Sequence, residues 1–238
     1  MKTEIRNGFF FGTFPALEET PGFAHGVIGR SETGAGREAA LDPFLPPGLC
    51  GERTARIRQV HGARVIALSG GDPLPEGEEA DAVVTDLPGV TLRIRVADCM
   101  PLFLADRDRG VIALAHAGWR GLAGGVVEET SRRFRAAGGR PDHSEAFVGP
   151  SIGPCCYLVG PEVVSAFAAR ARITPGARSH SHLDLFAIAG DLLLAHGFPR
   201  TRIGPRPPCT ACEAARWHSH RAGRGAPGRN LAYFAILP

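Results

Sequence analysis

The segment VTLRIRVADCMPLFLADRDRGVIALAHAGWRG, residues 90–121, decides the reading of the fold. Val90–Val96 alternates apolar and polar side chains, and Pro101–Ala105 and Val111–Ala115 are short apolar runs bounded by turn residues. Such runs mark half-buried or fully buried strands. Working outward, residues 121–137 place Leu122, Val126, Val127 and Phe134 on one side with charges between them, which reads as an amphipathic helix. Residues 161–171 and 184–196 carry similar stripes, and Gly197 stands where a helix C-cap glycine is expected. Ala146–Val148 and Leu231–Leu237 are further strand candidates, whereas 31–52, 69–80 and 204–229 are rich in breakers and read as loops. Strands and helices mix without strict alternation. The expected fold is therefore α+β, a single layered domain over 1–238 with mixed β-sheets flanked by helices, rather than a doubly wound sheet.

Composition narrows the function classes. The 238 residues are 44% hydrophobic and 21% charged, ordinary for a globular protein able to bury a substantial core. The net charge is +3, and no block of like charges resembles a nucleic-acid-binding arm. Lys2 is the only lysine, and arginine's planar fork permits a phosphorylated substrate without requiring one. The N-terminus lacks the apolar stretch and small-residue cleavage site of a signal peptide, and no window is long enough to span a membrane. The expected location is the cytosol, with neither nucleic acid nor membrane as a partner. In that compartment the six cysteines read as ligands, nucleophiles or core residues before they read as a disulfide frame.

Three segments carry chemistry: QVHGARV (59–65), ADCMPLFLAD (97–106) and AHAGWRGLAGG (115–125). Each sets one metal-type ligand, His61, Cys99 or His116, beside an apolar strand. Imidazole and thiolate both bind zinc, and three protein ligands leave a fourth tetrahedral position, which marks a catalytic rather than a structural site. Zinc there would bring the pKa of a bound water toward 7. The spacing matches no compact zinc pattern, and packed core residues remain the alternative reading.

QVHG, ADCMPL, HAGWRG, GPSIGPCCYLVG, a later LDL, CT and the closing HSHRAGRGAPGRNLAYFAIL occur in the order seen in the YfiH-like laccase-domain family, which the chain resembles from about Arg58 to its C-terminus. The resemblance implies that His61, Cys99 and His116 are the zinc ligands and the catalytic centre. It also implies phosphorolysis of adenosine, inosine and methylthioadenosine, with deamination of adenosine, so that a purine nucleoside and inorganic phosphate are the expected partners. Arg120, near a helix start, is a candidate for holding phosphate or for bracing its own loop. Tyr157 is a candidate to stack on a base or merely to pack, and Arg221 and Arg229, in the basic C-terminal motif, to reach the substrate. Copper is the weaker cofactor alternative, through the polyphenol oxidase activity of the family's older name. A zinc-stabilised binding module without catalysis is the non-enzymatic alternative. The N-terminal third, around residues 25–50, departs from the family pattern.

Other residues have plain readings. Asp98 is a candidate to orient an imidazole, but on an extended strand it would face away from Cys99. Cys155 and Cys156 read as inert. Cys209 and Cys212 form a C-x-x-C without a second pair at a matching distance. His180/His182 and His218/His220 are H-x-H pairs that would chelate only from an extended strand.

Overall fold

The computed structural model describes residues 1–19, 22–33, 40–49, 53–167, 173–175, 181–225 and 228–238. Strands β1 (Lys2–Arg6), β2 (Phe9–Thr13), β3 (Phe23–Ser31), β15 (Asn230–Ile236), β8 (Thr91–Val96), β4 (Thr54–Arg58) and β6 (Glu76–Glu79) pair in that order in one sheet. A second sheet runs β11 (Glu145–Val148), β9 (Met100–Asp106), β10 (Val111–Ala117), β7 (Ala82–Thr85) and β5 (Val65–Leu68). A small third sheet joins β12 (Leu158–Val159), β14 (Ser181–Leu183) and β13 (Ile173–Pro175). Both large sheets are mixed, because β4 lies parallel to β8 and β6, and β5 lies parallel to β7.

Side-chain parity sorts the layers. In β9 and β10, Phe103, Ala105, Ile112 and Leu114 point into a core shared with Leu92, Ile94 and Val96 of β8 and with Ala232 and Phe234 of β15. The alternate residues Leu102, Leu104, Ala113 and Ala115 pack instead with Val126, Val127 and Phe134 of α3 (Val126–Ala136) and with Ile188 and Leu193 of α5 (Leu185–Ala195). Burial on both faces explains why β9 and β10 read as unbroken apolar runs. The outer face of the seven-stranded sheet is covered as well: Phe11, Ile28, Leu231 and Tyr233 pack under Leu41 and Phe44. There the Tyr233 hydroxyl donates to the Phe44 carbonyl at 3.0 Å. Mixed sheets flanked by a few helices are thus what forms. No helix among the described residues is long and apolar enough to cross a membrane.

Several local expectations need correction. The helix expected over 121–137 is two helices, α2 (Trp119–Gly124) and α3, because Gly125 takes φ 92°, a left-handed conformation that ends the first and starts the second. The helix expected over 161–171 is α4 (Pro161–Ala166), with 168–172 outside the described residues. The loop expected over 69–80 ends in β6, a fully exposed edge strand whose glutamates pair with arginines of β4: Arg58–Glu79 at 2.7 Å and Arg56–Glu76 at 3.7 Å. A charged edge of this kind discourages pairing with another chain. Asp184 caps α5 by accepting from the Ala187 amide at 3.0 Å, and Gly197 follows the helix at φ 88°, so its ends agree with the sequence.

Candidate metal centre and active site

β8 belongs to one large sheet and β9 to the other, so the chain turns between sheets at Ala97–Asp98–Cys99. Cys99 occupies that corner, half-buried. His116 sits near the end of β10, opposite Pro101 of β9, and is buried. His61 lies in the turn after β4, exposed, with a left-handed φ of 59° that is uncommon for a residue with a side chain. One ligand atom from each of the three falls within 4.8 Å of the others, and the two imidazoles stand edge to face with centroids 4.7 Å apart. One thiol and two imidazoles form a donor set that zinc takes readily and that also suits other late first-row metals.

Asp81, fully buried just before β7, organises this centre and was not singled out in the sequence. One carboxylate oxygen accepts from His116 Nδ1 at 2.8 Å and from the His61 amide at 2.9 Å. The other accepts from the Gly62 amide at 2.7 Å and the Val60 amide at 3.2 Å. The carboxylate thus holds the strained turn that presents His61. It also fixes the Nδ1 proton of His116, leaving Nε2 to face a ligand. Burial alone would raise the Asp81 carboxyl, but hydrogen bonds from His116, Gly62 and Val60 outweigh it and keep it below its ordinary range.

The same balance acts on its neighbours. Burial would push the Cys99 thiol up, yet hydrogen bonding and charge from His116 and His61 bring it down to about 7. Burial would lower His116, yet Asp81 and Cys99 raise it to about 9. The cluster therefore favours a thiolate close to neutral pH, the form that binds metal.

Glycines of the HAGWRG segment close the site. A methyl group on Gly118 would stand 2.7 Å from Cys99 Sγ and 3.4 Å from His61 Cδ2, and one on Gly121 would stand 3.0 Å from the Gly62 carbonyl oxygen. These positions need glycine for close approach.

Tyr157 is half-buried near Cys99, Asp98, Arg221 and Arg120, and burial, with the neighbouring Cys99, raises its hydroxyl well above its ordinary range. The Arg221 guanidinium lies 5.4 Å from the Tyr157 ring centroid and donates to the Leu158 carbonyl at 2.8 Å. Arg120 is exposed, stacked 4.4 Å over the Trp119 ring. Arg229 is half-buried and donates to the Gly228 carbonyl at 2.8 Å.

Asp98 does not orient an imidazole. It takes a left-handed φ of 83°, and its carboxylate accepts from the Thr210 hydroxyl at 2.6 Å and the Arg221 amide at 2.7 Å. The alternative that it braces structure is what the geometry gives. His218 is buried and His220 exposed in a turn region, so this H-x-H pair does not converge; His180 lies outside the described residues, and His182 Nδ1 donates to the Pro154 carbonyl at 2.6 Å. Cys209 and Cys212 form a separate cluster with Cys155 and Cys156, the second pair that sequence spacing did not reveal.

Residues 47–237 match the family described as multi-copper polyphenol oxidoreductase laccase. The chain belongs to the laccase-domain family. Among relatives of this laccase-domain protein, a purine nucleoside phosphorylase of Xylella fastidiosa is 37% identical over 71% of the chain and 66%, just under two thirds, of that protein. The purine nucleoside phosphorylase YlmD of Geobacillus stearothermophilus is 34% identical over 76% of the chain and 72% of the relative. Its crystal structure superposes with a TM-score of 0.82 at 27% identity, covering 99% of this chain and 98% of that one. An adenosine deaminase of an unknown prokaryotic organism is 34% identical over 69% of the chain and 68% of that protein.

Proposed function

We propose that this laccase-domain protein, working as one domain over 1–238, is a zinc-dependent purine nucleoside phosphorylase that also deaminates adenosine. His61, Cys99 and His116 hold the metal and form the catalytic centre. The observation that carries the reading is the convergence of these three side chains, with His116 aimed by Asp81, next to Tyr157, Arg120 and Arg221. The relatives named as purine nucleoside phosphorylases and as an adenosine deaminase support the substrate class.

A zinc ion with three protein ligands supplies Lewis acidity at its fourth position. Around it the protein's own groups divide the work. The Tyr157 ring offers an apolar face beside which a purine stacks. The guanidinium groups of Arg120 and Arg221 supply positive charge for inorganic phosphate. In phosphorolysis a phosphate oxygen bonds to C1′ of the ribose, and the glycosidic C–N bond breaks. The purine leaves with the electron pair and takes a proton, giving the free base and ribose 1-phosphate. In deamination, water adds at the purine carbon bearing the amino group, and ammonia leaves.

Incubation of purified protein with adenosine, with and without phosphate, tests the proposal. Free adenine and ribose 1-phosphate are expected only with phosphate, and inosine with or without it. Both activities should vanish on chelation and return with zinc but not with copper. Zinc-replete protein that releases neither base nor inosine would overturn the reading.

A further inference from the structure

Among the described residues, the four cysteines outside the metal centre come from two remote stretches. Cys155 and Cys156 lie in the turn after β11, and Cys209 and Cys212 in the irregular segment that follows α5. Backbone bonds bring the stretches together without any help from sulfur. Ser151 and Cys209 form a parallel bridge, the Ser151 amide donates to the Pro208 carbonyl at 3.2 Å, and the Thr210 amide donates to the Ser151 carbonyl at 3.0 Å. The result places all four Sγ atoms within 4.8 Å of one another, with Cys155–Cys212 at 3.5 Å and Cys156–Cys212 at 3.4 Å.

Those separations are near the edge of a sulfur tetrahedron about a metal. With zinc–sulfur bonds of about 2.3 Å the edge is about 3.8 Å. The Cys209 sulfur also receives the Gly153 amide at 3.2 Å. A methyl group on Gly153 would stand 3.2 Å from Cys155 Sγ and 3.4 Å from Cys209 Cβ, so the turn leaves the space between the pairs to sulfur alone. Cys156 and Cys209 pack against the core, but core packing does not account for Cys155 and Cys212, which are exposed.

We infer that Cys155, Cys156, Cys209 and Cys212 form a second zinc site, a closed all-thiolate tetrahedron with a structural role. It fastens the segment carrying Tyr157 to the one carrying Thr210. Thr210 hydrogen-bonds Asp98, the residue before Cys99, so the second site steadies the walls around the first. With no open position it has no part in substrate chemistry.

The test uses the full chain, reduced, stripped of metal and reloaded with zinc. Two zinc ions per chain are expected by elemental analysis, and one in Cys209→Ser/Cys212→Ser. In His61→Ala/Cys99→Ser, X-ray absorption of the remaining zinc should show four sulfur neighbours at about 2.3 Å and no nitrogen. On the wild-type chain, independent of any variant's folding, zinc should slow alkylation of these four thiols at least tenfold when mapped by mass spectrometry. One zinc per wild-type chain with equal alkylation rates would overturn the inference. So would recovery of the four as disulfides without metal, or as an iron–sulfide cluster. None of these readouts involves nucleoside turnover, so they stand apart from the proposed activity.

Discussion

Asp81 accepts a 2.8 Å hydrogen bond from His116 Nδ1 while its two oxygens gather the amides of Val60, His61 and Gly62. One buried carboxylate therefore sets both the ring orientation of one proposed metal ligand and the backbone of another. Asp81→Asn keeps the size but replaces one acceptor with a donor facing amides. Outer partners of ligating histidines are worth about 10–100-fold in metal affinity. Zinc affinity measured against a chromophoric chelator should fall by that factor; unchanged affinity would remove Asp81 from the centre.

Gly118→Ala tests the closeness of the site. The backbone there (φ −82°, ψ 173°) suits alanine, so the effect comes from the methyl group 2.7 Å from Cys99 Sγ. Overpacking of this kind costs about 1–3 kcal/mol where the neighbours give way. The neighbour that must move is the proposed metal ligand Cys99, so zinc binding and turnover should drop at least tenfold while circular dichroism stays native. Full zinc occupancy in the variant would show that Cys99 has room to spare.

How much of this was legible follows from burial and locality. β9 and β10 stood out because the other sheet covers one of their faces and helices the other, making their sequences continuously apolar. β6 did not, because all four of its residues are exposed and three are glutamates. β1 and β2 did not stand out either, because β2 reads as a brief aromatic run and β1 as a charged tail. Short motifs singled out His61, Cys99 and His116, which the fold brings together. Asp81 was missed because its partners lie 19 to 35 residues away and nearby glutamates hide it. Its one local signal is an aspartate directly before the apolar run Ala82–Val84. The cysteine cluster was invisible to spacing, because the Ser151–Cys209 bridge that forms it is a long-range contact.

His25 makes stability depend on pH. It is 6% exposed, stacked against Phe14, and its Nε2 accepts the Phe14 amide at 2.9 Å, which requires a neutral ring. Burial lowers its pKa from 6.5 to about 4. The unfolded chain takes up a proton near pH 6.5 that the folded chain refuses until about pH 4. Its contribution is therefore complete above about pH 6.5 and is lost as the pH falls toward 4, by about 3 kcal/mol in all. In His25→Gln, which keeps an acceptor for Phe14, denaturant unfolding should show a shallower loss across that window. An unaltered slope would mean that His25 does not titrate there.

Asp106 offers the complementary case, a buried carboxylate with no role in the site. It accepts from the amides of Asp108 and Arg109 at 3.1 Å, the Arg140 amide at 2.8 Å and the Arg140 guanidinium at 3.1 Å. The Arg140 side chain is 32% exposed and keeps Asp108 as a partner, so the cost is chiefly that of leaving three amides without their acceptor, about 1–3 kcal/mol for each that stays dry. Asp106→Ala should lower Tm by on the order of 10 °C at this chain length, with zinc content unchanged. A matching loss of zinc would tie the far end of β9 to the metal centre.

Arg221 lets a scaffold contact be separated from a proposed substrate contact within one residue. Its amide holds Asp98, while its guanidinium lies by the Tyr157 ring and bonds the Leu158 carbonyl. Arg221→Gln leaves the amide in place, so the Asp98–Thr210 brace and the zinc should survive. If the guanidinium binds phosphate, loss of a charge-assisted contact worth about 1.5–3 kcal/mol lowers kcat/KM for phosphorolysis by about 10- to 150-fold. Deamination, which needs no phosphate, should change far less. Equal losses in the two reactions would assign Arg221 to the nucleoside or to loop order, and no loss in either would remove it from the site.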